Sequence, residues 1–407
     1  MLATLAIQGS TFLTTIALAR ILSAEDFGAY AAVLSTGQIA TLVACAGMGY
    51  TATRYVAEFA QKDPERASRI FGFCLAYAAA AAFVLGGVIA LGAPAMAEHF
   101  FHAPALAEPL RLAGGICWFM TVNAVLTGAL AGLGSFRALG LVGAVSGPLY
   151  FVVTIGCTYQ WGVVGTAGGL MASAALQTIA LTLVLRTVAA NSGFTPDVRH
   201  ASAERAVLRK FAVPAALAGL TTAASLWLGQ LILTREAGLA EIGLYTVAAN
   251  LLTITMLTPS VANTVGMAML NKAKGAGDET QFKRVFGANL AISLGLAATV
   301  AALIALFGQR ILLVFGPGFL MAYPALLALL LAAIPESLGL AYYQLLQSRE
   351  HMWQAMRLVM LPRDLALPLI ALALVPSMGA LGLALAYLAS RTLYLLTTVY
   401  ATRRPGP

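Results

Sequence analysis

The feature that most constrains this chain is a succession of long apolar runs with short polar breaks. Twelve of them follow one another, at 2–19, 29–53, 70–97, 110–133, 138–159, 165–187, 211–234, 242–270, 285–308, 320–346, 357–376 and 379–401. Crossing the hydrocarbon of a bilayer takes about 20 mostly apolar residues in a helix. Backbone amides and carbonyls have no water to bond there, so an open spanning segment must satisfy them internally, which only a helix does. Each run is also far longer than a barrel strand. The expected fold is therefore an all-α membrane protein of about twelve transmembrane helices.

Composition agrees, with 60% apolar and 10% charged residues, against roughly a quarter charged in a soluble domain. Nothing remains over for a sizeable soluble domain. The net charge of +8 would point to nucleic acid if it lay on one face among aromatics. Instead the charges cluster between apolar runs, so no nucleic-acid partner is expected. The first run follows no basic region and precedes no cleavage site, and is expected to be a retained span rather than a signal peptide.

Lysine and arginine in the connections orient the chain. With both termini in the cytoplasm, 18 of the 24 basic residues fall inside, from Arg54, Lys62, Arg66 and Arg69 through Arg199, Arg205, Arg209 and Lys210 to Arg349, Arg403 and Arg404. Only Arg20, Arg111, Arg235 and Arg310 fall outside, and Arg363 and Arg391 lie within spans.

Cys45, Cys74, Cys117 and Cys157 each sit in a different apolar run without a CxxC spacing, and read as packing residues. His99 and His102 flank two phenylalanines, while His200 and His351 are isolated. No metal site and no cofactor is expected. The chain also lacks a paired-carboxylate motif, a nucleophile elbow and a phosphate-cradling GxxxxGK[ST] loop. It is not expected to be an enzyme or an ATPase, so energy must come from a gradient, the membrane potential or removal of the product.

A repeat underlies the runs. A shift of 215 residues lays Arg20, Asp26, Gly28 and Tyr30 on Arg235, Glu241, Gly243 and Tyr245, and Asp63 on Asp278. The same shift lays Arg69, Phe71 and Gly72 on Arg284, Phe286 and Gly287, and Pro109 on Pro324. Alanine and leucine matches are cheap in such a sequence, but matched Arg, Phe, Gly and Pro at one offset are not. Each half carries six spans, an even number, so both halves enter the membrane in the same direction. The expected organisation is two parallel six-helix lobes, 1–188 and 211–407, joined by a cytoplasmic linker at 189–210. Parallel repeats are an established transporter plan, with the substrate site at the repeat interface.

The stretch RILSAEDFGAY from Arg20 to Tyr30 resembles the R-x-L-x-x-x-[DE]-[FY]-G-x-[YF] pattern of bacterial Wzx-like polysaccharide flippases. Arg54 to Ala60 with Arg66 and Arg69, and Leu312 to Phe319 (LLVFGPGF), resemble two further connections of that family. It is a branch of the multidrug/oligosaccharidyl-lipid/polysaccharide (MOP) superfamily. The resemblance implies two six-helix lobes around a central cavity that opens alternately to each side. It implies movement of polyprenyl-pyrophosphate-linked oligosaccharide from the inner to the outer leaflet of the bacterial cytoplasmic membrane. Implied partners are that lipid-linked oligosaccharide, membrane lipids, and glycan polymerases and glycosyltransferases. Lipid II flippases of the superfamily usually add two C-terminal spans, whereas twelve are counted here.

A charge near the bilayer centre costs at least about 2.5 kcal/mol on insertion scales, so it normally faces a cavity or a partner. Glu336 lies mid-span beside Pro335, and Arg391 about 12 residues into the last run, too deep to snorkel easily. Arg391 would suit an anionic pyrophosphate or a carboxylate such as Glu336; the alternative for both is a structural role. Arg363 and Asp364, between Pro362 and Pro368, either line an irregular stretch of the eleventh span or sit at the inner interface. Adjacent helical residues point about 100° apart, so these two need not pair. Arg20 and Arg235 either meet the substrate's charge outside or anchor the surface. Asn123 and Asn250, with other polar residues in spans, either line the cavity or join helices.

Two other functions remain open. A drug or cation antiporter of the same superfamily would be expected to need intramembrane carboxylates in its N-terminal lobe, which are not found. A membrane-embedded glycan polymerase would be expected to have a large outer loop with catalytic groups, and the outer connections are short.

Overall fold

The computed structural model describes residues 2–192, 213–275, 278–348 and 355–403. Most of the expected linker at 189–210 lies outside these residues, as do Arg199, Arg205, Arg209, Lys210, Arg349 and Arg404, which bear on the orientation. Among the described residues there is no strand. The chain builds α1 (Leu2–Ile21), α2 (Ala24–Cys45), α3 (Met48–Phe59), α4 (Pro64–Ala95), α5 (Ala107–Gly132), α6 (Phe136–Ser192), α7 (Val213–Ala237), α8 (Leu239–Gly275), α9 (Glu279–Phe315), α10 (Tyr323–Ser348) and α11 (Leu361–Arg403). Among the described residues, eight helical segments are long and apolar enough to cross a membrane.

Two of those eight reverse direction. In α6 the backbone leaves helical geometry at Trp161 and Gly162, and in α11 at Gly379. The arms then run back alongside themselves: Thr158 and Thr166 hydroxyls lie 3.0 Å apart, and Ser390 Oγ donates to the Arg363 carbonyl at 3.0 Å across 27 residues. Both reversals use positive φ, 56° at Gly162 and 53° at Gly379, with ψ near −130°. A side chain disfavours that region, which is why glycine stands there. The two reversals turn eight segments into ten crossings, and α1 and α7 are helices at the positions of the other two expected spans.

The duplication is visible in the caps. Asp63 accepts a hydrogen bond from the Arg66 amide at 3.0 Å to start α4. Asp278 accepts one from the Gln281 amide at 2.8 Å to start α9, each partner 215 residues from its counterpart. A side-chain oxygen at this position satisfies one of the amides that a helix start leaves unbonded.

The structure divides into two compact units, Met1–Trp227 and Leu228–Pro407, the division falling within α7. In the first, α5 packs against α2, α3, α4 and α6, and α1 lies along α6. In the second, α10, the repeat partner of α5, packs against α8, α9 and α11. The core of the first unit gathers Met48, Val56, Ile70, Phe71, Cys74, Val125 and Leu181. Small residues bring backbones together, since a Cβ on Gly86 would stand 2.5 Å from the Gly114 carbonyl oxygen. Close approach through small residues is a main source of helix association where lipid removes the hydrophobic driving force. All four cysteines are free, three buried and Cys157 half-buried.

One span departs from expectation. The run at 29–53 is not a continuous helix: α2 ends at Cys45, Ala46 and Gly47 take positive φ, and α3 begins at Met48. Continuous hydropathy hides such a break, because the residues on both sides of it remain apolar.

Candidate functional site

The charged residues expected inside the membrane converge in the second unit. α10 carries Glu336, and the two arms of α11 carry Arg363 and Asp364 on one side of the reversal and Arg391 on the other. Only the turn at Gly379 allows α11 to contribute to the cluster twice. That turn is itself fastened: the Ala380 amide donates to Glu241 Oε2 at 2.7 Å, so the acidic residue of the repeated motif caps the returning arm.

Arg391 Nε lies 3.6 Å from Glu336 Oε1, with side-chain exposures of 7% and 23%. The separation makes an ion pair but not a hydrogen bond, and Arg391 Nε has no hydrogen-bond partner. The other oxygen of Glu336 accepts from the Tyr387 hydroxyl at 2.9 Å. The Arg391 guanidinium also stands 4.3 Å from the centre of the Tyr387 ring. One turn of tyrosine, four residues before the arginine, therefore binds both members of the pair. Tyr245, the tyrosine closing the second copy of the motif, is buried within electrostatic reach of both charges.

Arg363 and Asp364 form the tighter pair. Nε and Nη2 of Arg363 both lie 2.7 Å from Asp364 Oδ1, although the residues are adjacent on a helix. Both are buried, at 9% and 6% exposure, and Arg363 also faces the Tyr394 ring at 5.1 Å. Both therefore sit inside the protein, at the start of the first arm of α11. The irregular stretch comes earlier than the prolines suggested, as a π-helical turn at Met356–Met360.

The remaining sites sit on other helices. Arg235 is exposed at the end of α7, 4.0 Å from Glu236, and Arg20 is exposed at the end of α1. Asn250 is half-buried on α8. Asn123 belongs to the first unit and joins α5 to the returning arm of α6: its amide donates to the Ala174 carbonyl at 3.1 Å and it accepts from Thr178 at 2.8 Å. The sequence reading missed a second polar cluster in the second unit. Asn289 donates to Asn263 at 3.0 Å, and Gln344 Nε2 donates to the Asn263 carbonyl at 2.8 Å, all three residues buried. Their partners in the first unit, 215 residues earlier, are Met48, Cys74 and Ala129, buried apolar core. That polar-for-apolar exchange at one offset was the available signal.

A model of the family described as polysaccharide biosynthesis protein matches residues 1–270. The chain belongs to this family. No curated protein matches the sequence. Among solved structures, it is similar to an inward-facing multidrug resistance MATE transporter of the MOP superfamily, at a TM-score of 0.79 and 15% identity over 97% of this chain and 94% of that one. It is similar to the lipid II flippase MurJ in an inward closed conformation, at 0.75 and 13% over 97% and 87%. A MOP superfamily transporter from Pyrococcus furiosus matches at 0.66 and 17% over 98% and 93%. At these identities the structures establish the fold alone, a two-lobed, multi-pass, all-helical membrane fold.

Proposed function

We propose that this member of the polysaccharide biosynthesis family is a flippase that carries polyprenyl-pyrophosphate-linked oligosaccharide from the inner to the outer leaflet of the bacterial cytoplasmic membrane by alternating access, both termini being cytoplasmic. The observation that carries this reading is the loose Arg391–Glu336 pair, a buried guanidinium with an unsatisfied Nε beside a partly accessible carboxylate. A planar guanidinium binds phosphate oxygens through paired N–H donors. An incoming pyrophosphate would exchange with Glu336 for Arg391, and the displaced carboxylate would keep the Tyr387 hydroxyl and its partial access to solvent. The tight Arg363–Asp364 pair keeps its own balance and positions the outgoing arm of α11. The family's description and the lipid II flippase named among its fold neighbours support a lipid-linked glycan as cargo. Glycosyltransferases that build this cargo inside and a polymerase that consumes it outside are the partners this reading implies.

The test is the leaflet on which the glycan accumulates. Membranes from cells depleted of the protein should hold lipid-linked oligosaccharide on the cytoplasmic side, inaccessible to an impermeant sugar oxidant added outside. Accumulation on the outer leaflet would overturn the reading in favour of a later step. Unchanged glycan orientation together with lost dye or cation efflux would favour a multidrug antiporter.

A further inference from the structure

Where α2, a complete 22-residue span from Ala24 to Cys45, gives way to the short α3, the backbone leaves helical geometry. Ala46 and Gly47 have φ of 42° and 76°, and the left-handed region costs a residue with a side chain about 1–2 kcal/mol. This break lines a groove of about 490 Å³ walled by α2, α3 and α5 and closed by Gly219 of α7. Binding sites for small molecules commonly enclose about 300–1,000 Å³. The repeat-related stretch of α8 runs on as helix, so the break itself has no counterpart there.

The chemistry of the wall is one-sided. None of the lining residues is charged, and Leu42, Met120, Ala131 and the Tyr50 ring supply much of the surface. Thr41 and Thr53 also line it, but their hydroxyls donate to the carbonyls of Gly37 and Gly49 at 2.8 and 3.0 Å, leaving their methyl groups to a ligand. Gln38 and Thr127 are the remaining polar groups of the wall, so a sugar, which needs many donors and acceptors, would find few, whereas a hydrocarbon chain meets a mostly apolar surface. One turn beyond Tyr50 on α3 the character changes. Arg54 is exposed there with its guanidinium 5.5 Å from the Tyr55 ring, and Arg66 stands 4.4 Å from the Phe59 ring. An apolar groove ending at aromatic-braced cations fits an amphipathic anion.

We propose that this groove seats the first isoprene units of a polyprenyl phosphate or pyrophosphate, with the phosphate end at Arg54. The assignment rests on the flippase reading for the identity of the lipid, and on its orientation, which puts the α2–α3 break in the inner-leaflet half where the carrier is glycosylated. A methyl-branched, unsaturated chain presents bulk and π-electrons to Met120 and Tyr50, and soft sulfur and aromatic groups receive both well. Gly49 and Gly128 let α3 and α5 pack backbone to backbone under the groove, where a Cβ on Gly128 would run into the Gly49 carbonyl oxygen.

The experiment uses the full-length protein in nanodiscs and a polyprenyl phosphate without sugar, carrying a diazirine near its phosphate end. Photolysis should label peptides containing Leu42 to Tyr50 and Met120 to Ala131. Excess unlabelled polyprenyl phosphate should suppress the labelling, and dioleoyl phosphatidic acid should not. Leu42→Trp and Thr127→Trp, both at exposed positions on the wall, should lower labelling about tenfold, the equivalent of about 1.4 kcal/mol of binding. Arg54→Gln should weaken capture several-fold. Equal competition by phosphatidic acid would show an ordinary acyl-chain groove and overturn the proposal, as would labelling elsewhere or labelling unchanged in both tryptophan variants. Because the probe has no glycan, the two readings fail separately. A labelled groove in a protein whose depletion leaves glycan orientation unchanged sinks only the flippase, and an unlabelled groove in a protein that exports glycan sinks only the groove.

Discussion

Glu336→Gln should destabilise the protein more than Arg391→Met, and the two changes together should cost less than either alone. At 3.6 Å, opposite unit charges attract by about 4–5 kcal/mol at an effective dielectric constant of about 20. Breaking a buried pair from one side typically costs about 3–5 kcal/mol, because the remaining charge keeps its desolvation penalty and loses its compensation. The two single variants leave different remnants. Arg391→Met leaves a carboxyl that is 23% exposed and still holds the Tyr387 hydroxyl, and it can shed its charge by taking up a proton. Glu336→Gln leaves a guanidinium that is 7% exposed and cannot do so; contact with the Tyr387 face, worth about 0.5–2 kcal/mol, offsets only part of the loss. Thermal unfolding in mild detergent, followed by circular dichroism over the double-mutant cycle, should give a coupling energy of at least about 2 kcal/mol. Export of lipid-linked glycan should fall in all three variants, including the stable double one. A coupling below about 0.5 kcal/mol, within the error of additivity, or full export by both single variants at normal protein levels, would refute the argument that this pair is built to open.

Gly379→Ala should lower stability by more than Gly162→Ala in the same unfolding assay. Both residues occupy positive φ, but only at Gly379 would a Cβ stand 2.5 Å from Glu241 Oε2, whereas Gly162 has open space. Equal losses would show that the Glu241 cap does not hold the reversal. Asn289→Leu should cost about 1–3 kcal/mol by orphaning the buried oxygens of its amide partners, while the matched change Cys74→Leu in the first unit should act only through overpacking; rescue of Asn289→Leu by apolar changes at Asn263 and Gln344 would check the assignment. In a variant without native cysteines, a single cysteine replacing Arg235 should react with an impermeant maleimide added to intact cells, and one replacing Lys283 should not. The opposite pattern would invert the topology.

Much of the architecture could be read without coordinates because the membrane enforces it. Hydropathy placed both reversals of α11 and α6 within a few residues, since even a tight hairpin needs a glycine and a lapse in apolar character at the bilayer surface. The duplication was legible from Arg, Gly and Pro, whose roles at caps and corners tolerate few substitutes, and the paired caps at Asp63 and Asp278 show why those positions were kept. Hydropathy could not show the break at Ala46 and Gly47, because it averages over residues that stay apolar whether or not the backbone bends. It could not show that Arg363 turns back onto its own neighbour, which depends on rotamers and on Tyr394. Tyr387 and Tyr245 escaped notice for a related reason: a tyrosine in a span reads as apolar mass, and its hydroxyl matters only once a carboxylate is found beside it.

The two units have kept one scaffold and exchanged its chemistry. At an offset of 215, Glu336 corresponds to Thr121, which is fully buried with an unpartnered hydroxyl. The reversal glycines, Gly162 and Gly379, are 217 apart, so on the returning arm Arg391 corresponds to Ala174, whose carbonyl takes the amide of Asn123. The same two elements, α5 with the returning arm of α6 and α10 with that of α11, are thus cross-linked in both units, neutrally in one and by charge in the other. A neutral amide link needs no counter-ion and gains nothing from meeting one, whereas a loose ion pair exchanges partners with any anion that reaches it. On the proposed function, the second unit would be the one that responds to a pyrophosphate. The first unit, with its uncharged groove at a broken helix, has a surface suited to a chain of hydrocarbon. A substrate that is both at once, a long lipid carrying a charged glycan head, is the kind of cargo for which such divergence after duplication would be retained.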